Sequence, residues 1–143
     1  MIMTHPTPLW LLDTNIISSV IKRPHDPLSQ RLRNLFDQQP GALATSVIVE
    51  CELMFGARRV SSPDLNHKID QILRFIPVHA LTQTAVTHYA NIRSQLEKSS
   101  TPIGFNDTLI AAHALDLGAT LVSGDAEFSR VPGLKVENWL LVE

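Results

Sequence analysis

Short apolar runs alternate along this chain with longer stretches in which apolar residues recur every three or four positions. Leu9-Trp10-Leu11-Leu12 predicts a brief buried strand. Thr14 to Val20 predicts a helix capped by Asp13 or Thr14 and ended by Lys22-Arg23-Pro24. Pro27 suits the first position of a second helix running to about Gln39. Pro40-Gly41 breaks the chain, and Ala42 to Thr45 reads as a second strand. Ser46 caps a helix to Arg59, and Ser62-Pro63 opens another with Leu65, Ile69, Ile72 and Leu73 at helical spacing. Ile76 to Leu81 is expected as a third strand, with Pro77 at its start or on an edge. Thr82 is expected to cap a long helix to about Ser99. Asn106 to Leu117 is a helix between Gly104 and Gly118. Ala119 to Ser123 is a strand, and Lys135 to Glu137 a last one. Strands alternating with helices predict a parallel sheet with helices on both faces. Such sheets bind ligands beyond the C-terminal ends of their strands.

Composition narrows the class. The chain has 143 residues, enough for a single domain spanning 1–143 with a sizeable core. Hydrophobic residues make up 44% and charged ones 18%, which excludes a disordered chain. Aromatics are only 6%, so the core is aliphatic. A net charge of −2 excludes a strongly basic nucleic-acid binder but leaves room for an enzyme with a local basic rim. Cys51 is the one cysteine, so no intramolecular disulfide forms; it is expected to pack as a small apolar residue, in a reducing compartment. No apolar stretch approaches the ~20 residues that span a bilayer, and Met1 to Pro6 lacks a leader pattern. The expected location is the cytoplasm, with no membrane partner.

Four acidic residues stand where this architecture puts its binding edge. Asp13 closes the first strand, Asp125 follows the strand ending near Ser123, and Asp107 opens the helix after Gly104. Glu52 lies in the helix after Ser46, flanked one turn away by Ile48, Val49, Phe55 and Gly56. Each has a structural explanation of its own: a cap, a helix-dipole partner, a turn residue, a solvent-facing helix position. Glu50 competes with Glu52, and spacing does not separate them. Taken together, four acids at predicted edges with no adjacent lysine or arginine do not resemble a salt-bridge network. Carboxylates gathered in one place repel one another, and a hard divalent cation relieves that repulsion. The six histidines show no zinc-type pairing, and no glycine-rich phosphate loop is present.

Leu11-Leu12-Asp13-Thr14-Asn15-Ile16-Ile17-Ser18 resembles the N-terminal signature of PIN-domain ribonucleases, most of all the VapC toxins of type II toxin–antitoxin pairs. Glu52-Leu53-Met54-Phe55-Gly56 resembles the second motif of that family and favours Glu52 over Glu50. The segment Pro102 to Ala114 resembles the third motif, and Leu121 to Phe128, continuing to Trp139, the fourth. The resemblance implies a PIN-like three-layer α/β/α sandwich with a short central parallel sheet. It implies that Asp13, Glu52, Asp107 and Asp125 hold Mg²⁺ or Mn²⁺. Asp13 and Asp107 would be the main direct ligands, and Glu52 and Asp125 would act through water or complete a second metal position. Thr14, Asn15 and Ser123 would be the polar groups behind them. It further implies an endoribonuclease, with transfer RNA the favoured substrate, in which water attack leaves a 5′-phosphate and a 3′-hydroxyl. Its partners would be the RNA, a VapB-like antitoxin and a second copy in a homodimer. The antitoxin would lay an apolar segment into a groove on the helices between Asp26 and Phe75, and a basic side chain into the acidic pocket.

Three rivals are weighed against this. A receiver domain needs a lysine where Ser123-Gly124-Asp125 stands. A haloacid-dehalogenase-type phosphatase needs a second aspartate at the position of Asn15. A catalytically inactive PIN-fold module that binds RNA or protein is the alternative that an RNA-cleavage assay with EDTA separates.

Overall fold

A computed structural model describes residues 8–141. The reading of Met1 to Pro6 therefore lies outside the described residues. The elements run β1 (Trp10–Leu12), α1 (Thr14–Lys22), α2 (Pro27–Gln38), β2 (Leu43–Ser46), α3 (Val47–Arg59), α4 (Pro63–Ile72), β3 (Val78–His79), α5 (Ala85–Lys98), α6 (Phe105–Leu117), β4 (Thr120–Val122), a 3₁₀ turn (Ala126–Arg130) and β5 (Val136–Glu137). The strands form one parallel sheet in the order β3-β2-β1-β4-β5. This is the expected three-layer α/β/α arrangement with a short central sheet. Leu11, Leu12, Leu121 and Val122 are fully buried, as strands covered on both faces require. Helical residues such as Ile16, Ile17, Val49, Leu53, Ile69, Ile92 and Ile110 complete an aliphatic core.

The strand order decides where a ligand can bind. β1 is central: the chain leaves it toward β2 on one side, and β4 pairs with it on the other. The switch point therefore lies between β1 and β4, beyond their C-terminal ends. Leu12 pairs with Val122 in register, so Asp13 and Ser123 emerge side by side there.

Several local expectations need correction. The third strand shrinks from Ile76–Leu81 to Val78–His79. It is an edge strand, and Pro77 has no N–H to donate, although its carbonyl accepts from Thr45 N at 2.9 Å. Thr82 does not cap α5. The helix starts at Ala85, and the Thr82 and Thr84 hydroxyls reach Asp116 on α6 at 3.2 and 2.8 Å. Cys51 is exposed rather than packed. Its helix buries Val49, Leu53 and Ala57, and Cys51 lies off that stripe. The 3₁₀ turn after Asp125 has no counterpart in the sequence reading.

Candidate metal centre

Each acidic side chain is fixed by its element. Asp13 N bonds the Val122 carbonyl at 2.9 Å, which continues the β1–β4 pairing one residue past the strands. The side chain caps α1: Oδ1 accepts from Thr14 N at 2.8 Å, and Oδ2 from the Ser123 hydroxyl at 2.7 Å. Asp13 is 5% exposed, and burial pushes its carboxyl above the ordinary range. The Ser123 and Thr14 hydrogen bonds oppose that shift, while the charges of Glu52 and Asp125 add to it.

The neighbouring polar groups tie these acids together. The Thr14 hydroxyl donates to Glu52 Oε1 at 2.7 Å, across 38 residues of sequence. Ser123 Oγ, besides donating to Asp13, accepts from Asp125 N at 3.0 Å and from Asn15 Nδ2 at 3.4 Å. Asn15 Oδ1 accepts from Gly124 N at 3.1 Å. Thr14 thus couples α1 to α3, and Ser123 with Asn15 couples α1 to the loop after β4.

Asp107 lies in the first turn of α6, where the helix dipole favours a negative charge. Burial and the like charges of Asp13, Asp125, Glu52 and Glu127 outweigh that benefit and push its carboxyl up to about 6. Carboxylate oxygens of Asp107, Asp125 and Glu127 lie within 4.8 Å of one another. Glu127 was missed by the sequence reading. Asp125 Oδ1 accepts from Glu127 N at 2.9 Å, and this cap starts the 3₁₀ turn that turns Glu127 back toward Asp107. The spacing Asp125-Ala126-Glu127 was the available signal, but only a tight turn puts both acids on one side. Arg130 donates to the Pro102 carbonyl at 3.0 Å and so ties this turn to the loop leading into Asp107. Asp13 and Glu52, both expected as ligands, lie outside that group of three; hydrogen bonds running Glu52–Thr14–Asp13–Ser123 link them to the backbone of Asp125, and both raise Asp107 electrostatically.

The model of the PIN domain family matches residues 10–134. The chain belongs to the PIN domain family. Ribonuclease VapC2 of Haemophilus influenzae is 39% identical to this PIN domain over 140 residues, covering 92% of this chain and 98% of the relative. The tRNA(fMet)-specific endonuclease VapC of Shigella flexneri is 35% identical over 132 residues, covering 91% and 97%. Among solved structures, VapBC2 from Rickettsia felis bound to a DNA fragment from its promoter superposes with a TM-score of 0.83 at 32% identity, covering 92% of this chain and 98% of that one. This PIN domain therefore stands with the VapC ribonucleases in both sequence and fold.

The donor set of this PIN domain suits a hard cation. Carboxylate oxygens converge, and the three ion pairs among the described residues (Arg23–Asp26, Lys68–Asp64, Arg93–Glu97) use none of them. His113 is fully buried and takes no part in the cluster. Its Nδ1 lies 2.7 Å from the hydroxyl of Ser46, the residue that caps α3. Burial, with His79 second, holds its imidazole below the ordinary value. On another face of this PIN domain, a cavity of about 350 Å³ opens between α1, α2 and the end of α4. Val20, Leu32, Phe36, Leu43, Phe75 and Ile76 line it. Phe36 and Phe75 meet edge to face with centroids 5.4 Å apart, and both are exposed.

Proposed function

We propose that this chain is the toxin of a VapBC-like pair, a metal-dependent endoribonuclease that hydrolyses RNA, with transfer RNA as its first candidate substrate. One observation carries the reading. Asp107, Asp125 and Glu127 converge beside the hydrogen-bonded Asp13 and Glu52, and among the described residues no lysine or arginine pairs with any of them. Like charges kept so close favour a counter-ion, and burial together with that repulsion is what raises Asp107.

Asp13 and Asp107 are the main ligands to Mg²⁺ or Mn²⁺ in this reading, with Glu52 and Asp125 completing the set. Glu127 joins them on geometry. When bound, such a cation lowers the pKa of a water, polarises the scissile phosphate and stabilises the leaving oxygen. The chain's own groups do the positioning. Ser123 and the Thr14 amide hold both oxygens of Asp13, so its lone pairs keep a fixed direction. Thr14 holds Glu52 in the same way, and Asn15 fixes the loop that carries Asp125. Asp107 and Glu127 then offer acceptor oxygens to a cation or to the proton of an attacking water. Attack by water leaves a 5′-phosphate and a 3′-hydroxyl.

The Phe36–Phe75 cavity is the groove proposed for an apolar segment of a VapB-like antitoxin, since an exposed aromatic-lined hollow suits a partner's apolar side chains. A homodimer acting in the cytoplasm completes the proposal. The test is to sequence RNA 5′ ends after expressing the wild type beside Asp107→Ala. Discrete new ends with the wild type, absent from the folded variant and suppressed by EDTA in vitro, are expected. Equal cleavage by Asp107→Ala would defeat the assignment. RNA binding without any cleavage would favour the inactive module.

A further inference from the structure

Two large aromatic side chains stand out in a chain with few of them. Phe55 and Phe105, each 64% exposed, are the most exposed of the chain's five phenylalanines. Both adjoin the acidic centre in sequence. Phe105 is the first residue of α6, two before Asp107. Phe55 lies one helical turn beyond Glu52 on α3. Each carries a guanidinium over its ring. Arg93 Cζ is 4.6 Å from the Phe105 centroid, and Arg59 Cζ is 5.6 Å from that of Phe55. Arg93 is itself held, donating to the Tyr89 hydroxyl at 3.1 Å and pairing with Glu97 at 3.5 Å.

We infer that Phe55 and Phe105 are stacking platforms for unpaired bases on either side of the phosphate held at the acidic centre, with Arg59 and Arg93 meeting the adjoining phosphates. The inference rests on the ribonuclease reading and specifies the substrate form: a single-stranded or looped segment, because a base inside a duplex presents no free face to a ring. A flat ring beside an arginine matches a nucleotide, which offers a π-face and an anionic phosphate together. The chain has a net charge of −2 and an acidic pocket, so cations on the rim are what a polyanion would need to approach. A second copy of the chain would bring the same positive pairs against these, which makes it the poorer occupant by charge.

The test uses full-length protein carrying Asp107→Asn, which does not cleave on the reading above. Binding of a short fluorescein-labelled single-stranded RNA is followed by anisotropy, beside a blunt duplex of the same sequence. Phe55→Ala and Phe105→Ala should each weaken single-strand binding about tenfold and leave duplex binding unchanged. Leucine at either position should be as poor as alanine, and tryptophan should restore affinity. Circular dichroism checks that every variant is folded. Single-strand binding unchanged in either alanine variant would overturn the inference. So would leucine variants that bind like the parent; alanine variants that dissociate a dimer on sedimentation would then assign the rings to a second copy. A parent protein that binds no RNA would remove the ribonuclease reading itself. Normal parent binding with indifferent phenylalanine variants removes only the platforms.

Discussion

At Asp107 two electrostatic effects oppose each other. The start of α6 favours its negative charge, while burial and four neighbouring acids disfavour it, and the result is a carboxyl near 6. The folded protein therefore binds a proton that the unfolded chain, at 3.8, has already released. Stability without metal is fully present below 3.8 and declines as pH rises through about 6. Urea unfolding in EDTA, wild type against Asp107→Asn, should show the wild type losing ground across that window and a constant difference above it. Because Asp107 is partly solvated, the loss should be roughly 1 kcal/mol, below what the full shift would give. A wild type that gained relative stability with rising pH would contradict the clustering. Asp13, Asp107 and Asp125 were legible in sequence because each follows a strand or opens a helix. Glu52 and Glu50 were not separable by spacing, since both lie on an apolar helix. In the structure the Thr14 hydroxyl bonds Glu52.

Elements hold these residues in place, and their ends matter most. Gly118 ends α6 in the left-handed region at φ 64°, and its N–H bonds the Leu115 carbonyl at 3.1 Å. Open space surrounds a Cβ built there, so only backbone conformation resists a side chain. Gly118→Ala should cost about 1 kcal/mol in urea unfolding and leave cleavage untouched, because it lies at the far end of α6 from Asp107. The same glycine was readable as a stop signal, as were Ser46 and Ser62 as caps, whose hydroxyls accept from Ile48 N and Leu65 N. Thr82 misled because its hydroxyl found a tertiary partner in Asp116, across 34 residues. The 3₁₀ turn was invisible because a single turn has no period to detect.

At the scale of the molecule, the two surfaces proposed as functional occupy different places: the acidic centre at the β1–β4 switch point and the Phe36–Phe75 groove on α1, α2 and α4. Placing a charge in the groove should separate them. Phe36→Asp should weaken antitoxin binding by roughly thirtyfold or more, measured by calorimetry, while RNA cleavage by the free toxin stays at the wild-type rate. Loss of both properties in a folded variant would mean that the groove also supports the active centre. On the proposed reading, a bound metal would stabilise the whole molecule by mass action. Mg²⁺ at a hundredfold excess over its dissociation constant should add about 2.7 kcal/mol to the wild type and much less to Asp107→Asn. Differential scanning calorimetry with and without EDTA reads that difference.

The chain's own pattern determined the alternation of strands and helices, the parallel sheet and the positions of three aspartates on its rim. These follow from local periodicity, breakers and caps, which act within a few residues of one another. Tertiary structure alone decided that Glu127 turns into the cluster, that Thr14 binds Glu52, and that Phe55, Phe105 and Cys51 remain on the surface. Periodicity says which residues share a face of their own helix. Whether another element covers that face depends on how helices and strands distant in sequence pack together.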